Sequence, residues 1–223
     1  MPRKTRQKSK SGIYHVMLRG INRQNIFYDI EDNEKFIEIL STCKKISGFK
    51  IFGYCLMGNH IHLLIKEEVE SLELIFKRIG ARYVYWYNWK YYRSGHLFQD
   101  RYRSEPIESE GYLITVLRYI HQNPKKSGLS NSIDKYKWSS YNEYIGKQGI
   151  TDTDFVLNLM DKDEFIKFMN EENQDKILDI EEDKRLTDEE VIERITKEYN
   201  IQPLMMQKEP RERMKIMIRE ILK

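Results

Sequence analysis

The spacing of apolar positions changes period several times along this chain, and each change marks an element. Gly12–Arg19 is rich in β-branched and aromatic residues and reads as a strand, closed by Gly20 and Asn22. Over residues 31–47, Phe36, Ile37, Leu40 and Ile46 recur at helical spacing, and Gly48 stops the helix. Phe49–Met57 and His60–Lys66 predict two strands joined as a hairpin by the turn pair Gly58-Asn59. Residues 70–92 suit a long helix rich in tyrosine and tryptophan, broken by Gly95, and Arg101–Ile107 predicts a fourth strand. Residues 109–122 predict a helix that ends near Asn123-Pro124, because a residue before proline avoids helical backbone.

The first six elements follow the order strand, helix, strand, strand, helix, strand. That order is the split β-α-β topology of ferredoxin-like folds. The expected architecture is α+β: an antiparallel sheet with helices packed on one face, plus a small C-terminal helical extension. After about residue 150 the composition shifts. Asp161 to Asn170 is one short helical segment, Thr187-x-x-Glu190 is a capping box opening another through about Asn200, and Pro210 can sit at the first turn of a last helix, Arg211–Leu222. The chain therefore divides into a flexible basic arm (1–10), a main domain (11–150) and a C-terminal helical region (151–223).

Charge sharpens this division. Residues 1–151 carry 25 Lys/Arg and 15 Asp/Glu, a net of +10, and residues 152–223 carry 13 and 20, a net of −7. A basic front portion suits a polyanionic partner, although lysine-rich proteins are also basic without one. No apolar run approaches the roughly 18 residues of a membrane span, and the first residues lack the apolar core of a secretory signal. Cys43 and Cys55 form no CxxC pair and read as core residues, so a reduced, cytoplasmic setting is expected.

Candidate chemistry begins at His60-Ile61-His62. In a strand, residues i and i+2 point to the same face, so the two imidazoles project side by side while Ile61 and Leu63 face a core. Such a pair suits a divalent metal; alone it also suits two surface or core histidines. On the helix 109–122, Leu113, Val116, Leu117 and Ile120 form an apolar stripe, and Tyr112, Thr115, Tyr119 and Asn123 form another. Tyr119 and Asn123 are four apart and can address one point, although a helical tyrosine is more often a packing residue. A tyrosine oxygen beside a metal held by two histidines and an amide could cleave a phosphodiester and store its bond energy as a phosphotyrosine. No GxxxxGK[ST] loop is present for an external energy source.

Several stretches then carry a resemblance: Tyr14-His15-Val16 with Arg19-Gly20 and Arg23; Tyr54 to Met57 running into Asn59-His60-Ile61-His62-Leu63-Leu64; Phe98-Gln99 with Arg101-Tyr102; Arg118 to Pro124 with Gly128-Leu129; and Trp138-Ser139-Ser140-Tyr141. Over roughly residues 11–145 the chain resembles the single-tyrosine HUH transposases, in their REP-associated tyrosine transposase-like branch. The resemblance implies a ferredoxin-like catalytic domain that cuts and rejoins single-stranded DNA, often at the foot of a hairpin, through a 5′-phosphotyrosine. It implies Tyr119 as nucleophile, His60 and His62 as metal ligands, and Mg²⁺ or Mn²⁺ as the ion. Related insertion-sequence transposases place a glutamine four residues after the tyrosine as third ligand. Asn123 stands there here, with His121 as a rival. Some members of this branch carry a helical DNA-binding module at the C-terminus, of which 187–222 would be an incomplete version or a plain packed appendage.

Around this core the readings stay plural. His15 fits a structural role or a place beside the site. Residues 71–104 hold seven Lys/Arg and two acids, interleaved with aromatics from Tyr83 to Tyr92, which fits stacking on single strands as well as packing on the sheet. Arg19, Arg23, Arg82, Arg101 and Arg103 are the expected DNA contacts. The partner is single-stranded DNA, the oligomer a monomer or a homodimer. A replication initiator or relaxase shares the chemistry and often uses a tyrosine pair, as Tyr112 and Tyr119 could be. A non-catalytic nucleic-acid-binding module shares the topology.

Overall fold

The strand-forming segments pair as their alternation requires. In the computed structural model, which describes residues 6–99, 101–172, 177, 188–199 and 211–221, four strands form one antiparallel sheet in the order β2-β3-β1-β4. These are β1 (Ile13–Arg19), β2 (Lys50–Met57), β3 (His60–Lys66) and β4 (Arg103–Ile107). The order is that of the ferredoxin-like split β-α-β unit, so the expected fold is the one found.

Two helices cover one sheet face. Helix α1 (Ile30–Ser47) opens with a capping box between Asp29 and Asp32 and closes on Gly48, whose φ of +62° is a left-handed cap that glycine adopts without strain. Helix α2 is Leu72–Lys90. Alternate strand residues Val16, Leu18, Tyr54, Leu56, Ile61 and Leu63 pack with Phe36, Leu40, Ile75, Ile79 and Tyr83 of these helices.

The expectation of helices on one face only is corrected. Helix α3 (Glu110–Lys126) lies on the opposite face, where Leu113, Val116, Leu117 and Ile120 pack with Ile13, Cys55, Met57 and Leu64. The physical reason lies in the strands: their residues are apolar on both faces, and a sheet with two apolar faces needs two covers. Helix α3 also runs on through Pro124 to Lys126 instead of stopping before the proline. The proline sits in the last helical turn, where its missing N–H forfeits a single backbone bond, and Ser127 N–H still closes on the Asn123 carbonyl at 2.9 Å.

Past the sheet, Trp138 to Ser140 runs along the outer edge of β2. Leu56 N–H donates to the Trp138 carbonyl at 2.8 Å and Ser140 N–H to the Tyr54 carbonyl at 3.0 Å, which covers that edge. Helices α4 (Tyr141–Tyr144), α5 (Asp154–Leu157) and α6 (Lys162–Asn170) then bury Tyr144, Val156, Phe165 and Met169 in the α3-side core. Asp161 caps α6 with a full capping box to Glu164. The chain forms two compact units, residues 1–178 and 179–223, so the first runs past the compositional shift at about 150. In the second, α7 (Asp188–Tyr199) and α8 (Arg211–Ile221) contact each other. The predicted capping residue Thr187 lies outside the described residues, as do residues 1–5 of the basic arm. The rest of that arm is held: Arg6 stacks over Tyr102 and donates to its carbonyl at 3.1 Å, and Lys10 N–H donates to Glu108 at 3.0 Å.

Helices α5 and α6 thus contribute to the α3-side core. Phe165 is fully buried against Tyr141, Tyr144 and His121. We expect Phe165→Ala to cost about 3–5 kcal/mol in urea unfolding. A change under about 1 kcal/mol would show that α6 does not hold α3 in place.

Candidate active site

Sheet register decides which side chains meet. His60 and His62 lie on the α3 face of β3, and β1 presents Arg19 opposite His60 and Met17 opposite His62. His15, two residues on, comes to the same face, with Glu105 opposite it on β4. Cys55 and Met57 of β2 complete the floor.

Helix α3 supplies the roof. Tyr119 is 3% exposed, and its ring meets His62 edge-on at a centroid distance of 5.6 Å and His15 at 6.1 Å. One turn on, the Asn123 amide Nδ2 stands 3.2 Å from His62 Nε2. The other ring nitrogen of His62, Nδ1, is 3.0 Å from His15 Nε2. The His60 and His62 rings are 5.1 Å apart, and Asn59 Oδ1 fixes His60 Nδ1 at 2.7 Å. Lys126, at the end of α3, holds its ammonium 5.7 Å from the Tyr119 ring centre. His62, Tyr119 and Asn123 therefore come together, with His60 beside them.

Electrostatics suit a neutral donor set. Burial first, then the neighbouring His15 and His60, hold the His62 pKa well below its usual value. A neutral imidazole is the form that ligates metals. Among the described residues, no group of three or more His, Cys, Asp or Glu converges on one point. Beside Tyr119 stands a mixed group of polar side chains: the imidazoles of His60 and His62 and the amide of Asn123.

His121 is not brought to this group. It is fully buried on another side of α3, bonded to Ser140 Oγ at 2.8 Å and ringed by Tyr141, Tyr144 and Phe165. Burial pushes its pKa down to about 3, as for a neutral core histidine. Two residues along a helix turn the side chain by about 200°, so Tyr119 and His121 diverge. That spacing was the available signal against it.

The arginines divide. Arg19 and Arg103 share the histidine face by register, and Arg23 sits in the turn after β1, where its carbonyl accepts from Asn59 Nδ2 at 3.3 Å. Arg82 is on α2, which covers the other sheet face, and Arg101 pairs with Glu73 of that helix at 3.2 Å. Sequence reasoning missed Glu105. It lies 3.9 Å from His15 Nδ1 and accepts the Tyr112 hydroxyl at 2.6 Å. Its signal was an acid two residues before the buried Ile107 in a short strand.

Fold and site together define a ferredoxin-like domain whose second sheet face holds a histidine, tyrosine and amide cluster beneath one helix. The family described as "Transposase IS200 like" matches residues 8–123, just over half the chain, a span that contains every member of this cluster. The chain belongs to the IS200-like transposase family, and DNA binding and DNA transposition are the functions that membership carries. Among solved structures, a REP-associated tyrosine transposase bound to a REP hairpin aligns with a TM-score of 0.59 at 15% identity, over 66% of this chain and 87% of that one. At that identity the likeness speaks for the fold. A Deinococcus radiodurans protein provisionally described as a transposase aligns at 18% identity over 54% of this chain and 97% of its own, with a TM-score of 0.38, too low to carry an argument. No curated protein matches the sequence significantly. No described helix is long and apolar enough to cross a membrane.

The placement of His121 is directly checkable. His121→Gln should lower unfolding stability by about 1–3 kcal/mol, since it loses ring packing and strains the bond to Ser140. An unchanged urea midpoint would mean that His121 is not packed in this core.

Proposed function

We propose that this protein cleaves and rejoins single-stranded DNA through a 5′-phosphotyrosine on Tyr119. The observation that carries the reading is the meeting of Tyr119 and Asn123 with His62 under α3. Family membership supports DNA as substrate. The REP hairpin held by the aligned REP-associated transposase supports a hairpin-bearing strand.

His60, His62 and the Asn123 amide oxygen are the residues to hold a divalent ion. Mg²⁺ or Mn²⁺ bound there would polarise the scissile phosphate and ease departure of the 3′ oxygen. The amide can turn to offer its oxygen, a harder donor than imidazole. Tyr119 Oη attacks phosphorus, forming a P–Oη bond as the P–O3′ bond breaks. The tyrosine loses its proton and the leaving 3′ oxygen gains one. One phosphate ester replaces another, so the free 3′ hydroxyl of a second strand end can reverse the step without a nucleotide cofactor. Tyr119 is packed against His62 and His15, so the attack follows movement of its ring out of that position. Arg19, Arg23 and Arg103 are the proposed phosphate contacts beside the cluster, and Arg82 and Arg101 are candidates for more distant ones.

Two readings compete. A replication initiator or relaxase would use a second tyrosine, but Tyr112 spends its hydroxyl on Glu105 and its pKa is raised, by burial first and then by that carboxylate. A non-catalytic binding module would leave Tyr119 dispensable.

Incubation of the protein with labelled hairpin-bearing single strands and Mg²⁺ or Mn²⁺ should give a covalent adduct stable in denaturing gels. Tyr119→Phe should reduce the adduct by at least about 10³-fold. An adduct persisting in Tyr119→Phe would refute the assignment. Chelation by EDTA should abolish the adduct and an excess of Mn²⁺ restore it, whereas cleavage at full rate in EDTA would remove the ion from the reaction.

A further inference from the structure

His15 is fully buried and reaches the cluster from β1, a strand that supplies none of the proposed ligands. Its Nε2 faces His62 Nδ1 at 3.0 Å. Of two imidazole nitrogens this close, one carries the proton and the other accepts it. Both ends of the chain of contacts decide which. At one end, Glu105 Oε2 stands 3.9 Å from His15 Nδ1, and the Tyr112 hydroxyl donates to Glu105 Oε1 at 2.6 Å, steadying the carboxylate there. At 3.9 Å the carboxylate is beyond hydrogen-bond reach, but its charge favours the proton on Nδ1 and so leaves Nε2 of His15 as an acceptor. At the other end, Asn123 Nδ2, which can only donate, points at His62 Nε2 from 3.2 Å, so that nitrogen also accepts. Both ends give the same protonation: His62 carries its hydrogen on Nδ1 and donates it to His15.

We propose that His15, Glu105 and Tyr112 form a positioning relay that locks His62 in its Nδ1–H tautomer and keeps the Nε2 lone pair aimed at the ion site. The relay rests on the reading of His62 as a metal ligand. A ligating histidine whose second nitrogen donates to a fixed acceptor is more basic and holds its ring plane. The relay also gives β4 a purpose, since that edge strand brings Glu105 opposite His15. His15 touches neither DNA nor ion and acts through His62.

The tautomer is readable without metal, substrate or mutation. Long-range ¹H–¹⁵N correlation spectra of ¹⁵N-histidine-labelled, metal-free protein near pH 8 should show His62 and His15 dominantly as Nδ1–H forms. In His15→Phe, His62 should lose that preference, and Mn²⁺ affinity by calorimetry should fall about 10–100-fold. His15→Gln places an amide oxygen near the lost Nε2 acceptor and should recover Mn²⁺ affinity to within a few-fold. Should His15→Phe fail to fold, the wild-type spectrum and the Gln variant decide. A dominant Nε2–H form of His62 in the wild type overturns the relay and leaves the metal reading standing. A His15→Gln loss as large as 100-fold also overturns it, since it would make the imidazole itself the ligand. Wild-type protein that binds no Mn²⁺ removes the metal reading and the relay with it.

Discussion

The site depends on α3 lying flat against the second face of the sheet. That contact is close: a Cβ at Gly53 would stand 2.4 Å from Leu117 Cδ1, so a side chain on β2 there would force the Leu117 side chain of α3 to shift. Leu117 itself is fully buried, in an interior where packing is dense. Without this approach, Tyr119 would not reach the His62 ring and Asn123 would not reach its Nε2. On another side of the helix His121 meets Phe165, and Phe165 and Met169 of α6 join the same core.

The sheet supplies what the helix cannot. Antiparallel register places His60 and His62 on one face of a central strand and brings His15 and Glu105 alongside from β1 and β4. Four strands are needed before the cluster has its floor, and one helix before it has its tyrosine. Burial then favours a neutral His62, because a charged imidazole buried between two others is costly. In the proposed function, neutral imidazole nitrogens and an amide oxygen would take a cation and, with it, a phosphate.

Much of this was legible in residue spacing. Period-two alternation put His60 and His62 on one face, and the split β-α-β order fixed which strands are neighbours. Helical spacing put Tyr119 and Asn123 on one line. The rest was hidden for specific reasons. That both sheet faces are covered follows from strands apolar at successive positions, a pattern that does not say which later helix provides the second cover. Pro124 looked like a stop because a pre-proline residue avoids helical backbone, yet in a last turn that bias is weak enough for packing to override. Glu105 gains meaning only once register sets it opposite His15. His121 could have been set aside from its two-residue offset alone.

In the proposed reaction one particular hydroxyl, that of Tyr119, becomes bonded to DNA. Tryptic digestion of the covalent adduct, followed by peptide sequencing in the mass spectrometer, locates that bond. Cleavage after Arg118 and Lys125 isolates a peptide, residues 119–125, with Tyr119 as its single tyrosine. The account predicts the nucleotide 5′-phosphate on Tyr119 in that peptide. A nucleotide found instead on the peptide carrying Tyr112, or on any other residue, would contradict it.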